Sequence, residues 1–247
     1  MSLTGLILGA LLGAIVGSFL ATLVIRMPRG EQAVTGRSRC DQCRRELGPL
    51  ELVPILSRIR LRGRCPSCNA RIDPVHWQVE ACATLLGALS LGLAWGWTGL
   101  ALALFGWLLV PLAWLDWRHF WLPDRLLLPL AAGGLGLGGL VGPSLTDRLI
   151  GGLAGWAALT LLLLAYRRLR AREGLGQGDP KLLGAIGLWL GWVALAPVLA
   201  LAALLGIAVA IARGLGRGDA LPFGTMLAAA AWLTALALAY APPSILS

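Results

Sequence analysis

The chain has 247 residues, of which 57% are hydrophobic and only 13% charged, with a formal net charge of +9 and a mean hydropathy of +0.77. A domain folded around one water-facing core carries about a quarter charged residues, so this composition excludes a soluble globular protein and places most of the chain in lipid. The positive excess leaves nucleic acid or a membrane surface as its partner, and its placement along the chain decides between them.

A helix crossing the hydrocarbon core needs about 20 apolar residues. The first such run, Leu3–Ile25, ends at Arg26. It is longer than the apolar stretch of a signal peptide and no basic segment precedes it, which predicts a retained transmembrane helix over 1–25. Residues 26–78 then lose the apolar character and carry eleven arginines between 26 and 71. This stretch is expected to form one soluble-looking cytoplasmic domain.

Within it, Cys40-x2-Cys43 is followed after 21 intervening residues by Cys65-x2-Cys68. Each pair offers two sulfurs from one tight turn, and two such turns close a tetrahedron around Zn²⁺. Arg39, Arg44 and Arg64 favour the thiolate forms, and a short segment with few aliphatic residues gains folding energy from the metal. A reducing cytoplasm disfavours the alternative of two disulfides, and a redox pair would need no duplication. Cys82 falls in the next apolar run and reads as a small buried hydrophobe.

From residue 79 the apolar runs are Val79–Trp97, Gly99–Leu115, Leu126–Leu145, Leu149–Tyr166, Leu182–Leu199, Ala200–Ala212 and Pro222–Tyr240. They predict an all-α membrane domain over 79–247 and about eight crossings in the whole chain. Leu182–Ala212 holds no charge over 31 residues, and Pro197 is its expected break. With Ile25 ending on the cytoplasmic side, the loops at 26–78, 116–125, 167–181 and 213–219 contain every Lys and Arg except Arg148, a division of 20 to 1. The positive-inside rule and anionic headgroups therefore account for the charge, and no nucleic-acid partner is expected.

Among the acidic residues, Asp116 ends a crossing where the helix dipole opposes negative charge, so structure alone gives it little purpose beyond a solvated loop position near Arg118. Asp124, after Leu122-Pro123, is expected to cap the next helix. Asp179 closes Gly176-Gln177-Gly178-Asp179 and also reads as a cap, with Pro180 in the first turn. Gly176 and Gly178 would let the backbone turn sharply and an extended chain approach. Lys181 can tune the charge of Asp179 or meet the headgroups. The Gly-x-Gly-Asp string is weak by itself and takes its meaning from its companions.

Those companions occur in order along nearly the whole chain. They are Gly17-Ser18-Phe19-Leu20, Arg26-Met27-Pro28, the four cysteines with Leu61-Arg62-Gly63-Arg64-Cys65, and Val79-Glu80. Asp116 stands eight residues before the Asp124 of Leu122-Pro123-Asp124; Gly176-x-Gly178-Asp179-x-Lys181-Leu182 and Pro222-Phe223-Gly224 follow. The set resembles the bacterial type IV prepilin peptidases, bifunctional leader peptidases and N-methyltransferases of pilus and type II secretion systems. Two segments depart from the family pattern: Ala21 stands where Asn is common, and Glu51-Leu52-Val53-Pro54 where Glu-Asn-Ile-Pro is common.

The resemblance implies a multi-pass inner-membrane protease facing the cytoplasm, with catalytic aspartates Asp116 and Asp179 and zinc ligands Cys40, Cys43, Cys65 and Cys68. It also implies prepilin and pseudopilin substrates and S-adenosylmethionine as methyl donor, with Glu51 and Glu80 as candidates to hold the incoming amine. Two close carboxylates share a proton, so one activates water while the other polarises the scissile carbonyl or protonates the leaving amine. No strand-turn-helix glycine motif marks a doubly wound cofactor domain, so the methyltransferase expectation rests on resemblance alone. Peptidase without methyl transfer is the second reading, and a zinc-containing scaffold or a transporter the third.

Overall fold

The computed structural model describes residues 2–32, 39–40, 42–48, 61–170, 176–216 and 219–240. Among them are eight α-helices, two isolated β-bridges and no strand. The helices are α1 (Leu3–Arg26), α2 (Val75–Leu93), α3 (Trp97–His119), α4 (Asp124–Leu137), α5 (Leu145–Arg170), α6 (Asp179–Leu190), α7 (Leu195–Arg213) and α8 (Phe223–Tyr240). Four of them, α1, α3, α5 and α7, are long and apolar enough to cross a membrane. The protein is an all-α, multi-pass membrane protein. Its chain divides into two compact units, Met1–Trp95 and Gly96–Ser247. The Glu51–Pro54 segment lies outside the described residues.

In the first unit α1 packs along α2. Ser2 caps α1 by accepting from the Gly5 amide at 3.2 Å, and Pro28 with the left-handed Gly30 (φ 69°) ends the run. Gly5, Gly9, Gly13 and Gly17 recur every four residues on one face of α1. A Cβ on Gly5, Gly9 or Gly13 would collide with the α2 carbonyls of Leu91, Gly87 and Ala83 in turn. Lipid tails are as apolar as leucine, so such helices associate through close backbone approach and small residues make it possible. The other face carries exposed Leu3, Ile7, Leu11 and Ile15, fit for lipid.

In the second unit α6 is the central helix. Nearly every side chain on it is buried, and α4, α5 and α8 pack against it. A helix apolar all round belongs inside its neighbours. Trp189 fixes one end by donating from Nε1 to the Leu130 carbonyl at 2.7 Å while its ring lies 4.9 Å from that of Phe105. At 12 residues, α6 is only about 18 Å long, well short of a hydrocarbon core of about 30 Å.

Several boundaries differ from expectation. The 182–212 run breaks at Gly191, which takes φ 76°, and not at Pro197. That proline sits in the first turn of α7, where no intrahelical N–H is needed. Helix α4 stops at Leu137, short of the expected Leu145, passing into a 3₁₀ turn at Gly138–Leu140. Arg148, the lone basic residue outside the loops expected to be cytoplasmic, is 7% exposed. Its Nη1 donates to the carbonyls of Gly134 and Leu135 at 2.6 and 3.1 Å, placing a cation at the carbonyl end of α4, where the helix dipole favours it.

Candidate active site and metal centre

Asp116 lies in the last turn of α3, where Phe120 in a left-handed conformation (φ 50°) returns its N–H to the Asp116 carbonyl. The side chain is 5% exposed. Its Oδ2 accepts from the Thr225 amide at 2.7 Å, with the Thr225 hydroxyl 3.0 Å away. That hydroxyl also lies 2.9 Å from the Ala113 carbonyl. Thr225 lies in the first turn of α8, directly after Pro222-Phe223-Gly224, and the sequence reading did not single it out.

Asp179 is 3% exposed and is the first residue of α6, not its cap; Gly178 holds that position. Its carboxylate turns backward to accept from the Gly176 amide at 3.0 Å, while the Asp179 amide donates to the Gly176 carbonyl at 3.2 Å. Asp179 precedes the apolar segment that begins at Leu182. Burial and then the charge of Asp116 push its carboxyl up to about 7, against the Gly176 amide. The two aspartates, 63 positions apart in the sequence, thus sense each other.

Leu122 ties their two loops together. A Cβ on Gly178 would fall 2.6 Å from the Leu122 Cβ, and one on Gly224 would fall 2.9 Å from Leu122 Cδ1 and 3.0 Å from Asp116 Cγ. Only glycine lets the backbones come this close.

A second Gly-x-Gly-Asp string, Gly216-Arg217-Gly218-Asp219, went unnoticed in the sequence. Its described ends make the same reciprocal contacts, with the Gly216 amide on Asp219 Oδ2 at 2.7 Å and the Asp219 amide on the Gly216 carbonyl at 3.3 Å, yet Asp219 is exposed. The turn is therefore a property of the string, and burial beside a second acid distinguishes Asp179. Asp124 is the first residue of α4 and caps nothing. Its two oxygens take the Lys181 ammonium at 2.7 and 3.0 Å, so Lys181 answers Asp124.

The four cysteines converge in the first unit. Their sulfurs all lie within 4.8 Å of one another, with Cys40 to Cys68 at 3.8 Å and Cys43 to Cys65 at 3.9 Å. A tetrahedron with Zn–S near 2.3 Å needs sulfurs about 3.8 Å apart, whereas a disulfide needs about 2.05 Å. The two turns are copies. Cys40 and Cys65 donate to the carbonyls five residues on, Arg45 and Ala70, and accept from Arg44 and Asn69. Both acceptors' donors are left-handed, at φ 56° and 57°. The Cys68 and Ser67 amides hold the Cys65 thiol down to about 6, while, against the Ala70 amide, burial and the neighbouring sulfurs hold Cys68 up to about 11, so the four thiols do not ionise together without a cation. Cys82 is half-buried on α2, apart from this group.

Beside the cluster, still within the first unit, a cleft is lined by Ser18 and Thr22 of α1 and by Asp73, His76, Trp77 and Glu80. Glu80 is 7% exposed. A Cβ on Gly17 would meet its Cα at 2.8 Å, so the Gly17-Ser18 and Val79-Glu80 segments are in contact.

The fold and its sites define a multi-pass membrane protein with two buried aspartates in one unit and a four-cysteine cluster able to hold a metal ion in the other. Residues 11–95 match the bacterial peptidase A24 N-terminal domain, and residues 102–211 match the type IV leader peptidase family. A prepilin leader peptidase/N-methyltransferase of Aeromonas hydrophila is 43% identical over 208 residues, 81% of this chain and 71% of the relative. A protein of the same name from Burkholderia pseudomallei is 42% identical over 201 residues, 78% of this chain and 64% of the relative. Another from Pseudomonas aeruginosa is 35% identical over 210 residues, 82% and 72% respectively. No solved structure matches the chain. The chain belongs to the type IV leader peptidase family and is an enzyme of that class.

Proposed function

We propose that the protein cleaves the leader peptides of prepilins and pseudopilins at the cytoplasmic face of the inner membrane, using Asp116 and Asp179 as one acid–base pair. The observation that carries this reading is the burial of two carboxylates from distant segments close enough for one charge to act on the other. Two such groups share a proton. The ionised member takes a proton from water, whose oxygen attacks the scissile carbonyl, and the protonated member polarises that carbonyl and then serves the leaving amine. Gly176, Gly178 and Lys181 form the loop assigned to substrate approach, with Lys181 anchored on Asp124. The division of basic residues along the sequence supports the cytoplasmic orientation.

Residues 26–78 are assigned as a zinc-binding domain between the first helix and the protease domain of 79–247, with Cys40, Cys43, Cys65 and Cys68 as ligands. Zinc there is structural, since four thiolates leave no open position. For the N-methyl transfer named in the relatives, the donor is S-adenosylmethionine, which supplies an electrophilic methyl group when bound. The cleft of the first unit fits its chemistry: Asp73 and Glu80 suit a cationic sulfonium and ribose hydroxyls, and Trp77 suits a purine face.

The test mixes the detergent-solubilised full chain with a prepilin. Asp116→Asn and Asp179→Asn each abolish cleavage on this reading; normal cleavage by either removes the dyad. Labelled S-adenosylmethionine in the same mixture labels the trimmed N-terminus, and Glu80→Gln lowers that transfer without lowering cleavage. Cleavage without any transfer leaves a peptidase alone.

A further inference from the structure

We infer that Thr225 is the positioning residue of Asp116, with a hydroxyl that reorients as the Asp116 proton comes and goes. The inference rests on the assignment of Asp116 to the catalytic pair and goes beyond it. Three contacts converge on this residue: its amide to Asp116 Oδ2 at 2.7 Å, its Oγ to the same oxygen at 3.0 Å, and its Oγ to the Ala113 carbonyl at 2.9 Å.

A hydroxyl has one proton to donate and two lone pairs that accept. Oγ cannot donate to both oxygens at once. With Asp116 ionised, the Oγ proton points to Oδ2, which then receives two donors. With the proton on Oδ2, the hydroxyl turns to the Ala113 carbonyl and its oxygen accepts from the carboxylic acid. The backbone amide stays on Oδ2 throughout, and no proton enters or leaves the Thr225 side chain. Both oxygen acceptors sit on α3, Ala113 one turn before Asp116, so a single rotation of the hydroxyl serves both states without moving a helix.

The consequence for the reaction is specific. In the proposed mechanism the carboxylate that accepts a proton from water later returns one, and a side chain held only in its charged state would swing between those steps. Asp116 is hydrogen-bonded to Thr225 through Oδ2 in both. Gly224 closes the same side of the carboxylate, since its Cβ position lies 3.0 Å from Asp116 Cγ and 3.1 Å from Oδ2. Preorganisation of this kind acts on turnover more than on substrate binding.

The experiment measures kcat and KM for prepilin cleavage by the full chain in detergent, comparing wild type, Thr225→Val and Thr225→Ser. Valine keeps the shape and the amide but removes the hydroxyl, and is expected to lower kcat about 10- to 100-fold with KM within about twofold. Serine restores the hydroxyl and is expected to recover most of that loss. Wild-type kcat in the valine variant overturns the inference, as does serine as slow as valine, which would show that the hydroxyl does not carry the effect by itself. Elution volume and thermal stability of each variant separate a folding defect from a catalytic one. Asp116→Asn runs in parallel: if it cleaves normally the dyad itself fails, whereas an inactive Asp116→Asn beside a fully active Thr225→Val removes only the role of Thr225.

Discussion

Leu122 wedges against Gly178 so closely that a single added methyl group at Gly178 would come within 2.6 Å of the Leu122 Cβ. The contact joins the turn after α3, which follows Asp116, to the loop that ends in Asp179. Leu122 Cβ is rigidly attached to backbone, so the clash cannot be relieved by rotating a side-chain end. Gly178→Ala is therefore expected to displace Asp179 and cut cleavage about 100-fold, the scale on which a misplacement of about 1 Å acts. Gly216→Ala in the second Gly-x-Gly-Asp string is the control, since its Cβ meets only Asp219 Oδ2 at 3.7 Å. Equal activity of the two variants would remove the close approach from the site.

The proposed sharing of a proton by the two acids implies a pH dependence. Asp179 is raised by burial and by the Asp116 charge to about 7, from an ordinary value of about 4. Between those values the folded protein keeps a proton that the unfolded chain releases, so stability falls as pH rises through that window and stays lower above it. Asp179→Asn has no such proton to lose. The melting temperature of the variant is expected to gain on wild type between pH 4 and about 7, with the difference level beyond. Wild-type cleavage, which needs one member protonated, is expected to decline above about pH 7. Cleavage still rising at pH 8.5 would place the proton elsewhere.

The elements and the convergence of the four cysteines were legible because their signals are local. Apolar runs mark helices within a few residues, and Cys-x2-Cys twice over specifies the pair of turns whose sulfurs meet. The break at Gly191 was missed because a proline seems the stronger breaker, although in a first turn it breaks nothing. Thr225 left no mark: its role is made by tertiary contact with a carboxylate 109 residues away. Asp124 and Lys181 were read through their sequence neighbours, a cap and a near-dyad cation, while the fold paired them across 57 positions. The repeated Gly-x-Gly-Asp string makes the same point, since sequence identifies the turn and only burial identifies the acid.

That Lys181–Asp124 pair is exposed on both sides, at 51% and 64%, and solvent screens it. Lys181→Ala and Asp124→Ala are each expected to destabilise by at most about 1 kcal/mol, with a coupling below about 1 kcal/mol in the double variant. Cleavage should stay within about threefold of wild type if Lys181 serves only to anchor its loop. A loss comparable with that of Asp179→Asn would instead make Lys181 a direct participant.

The four-thiol centre gives the last expectation. Each Cys-x2-Cys turn has its own backbone hydrogen bonds, but the two meet through sulfurs 3.8 and 3.9 Å apart. Four thiolates at that spacing repel one another without a cation, so on the proposed reading a zinc ion would hold the turns together. Protein purified under reducing, chelator-free conditions is expected to carry one zinc per chain by elemental analysis. Cys65→Ser removes the buried ligand and is expected to abolish stoichiometric zinc and to open the insert to proteolysis, while α3 to α8 keep their helical signal. Full zinc occupancy in Cys65→Ser, or no zinc in wild type, would exclude these cysteines as the metal site.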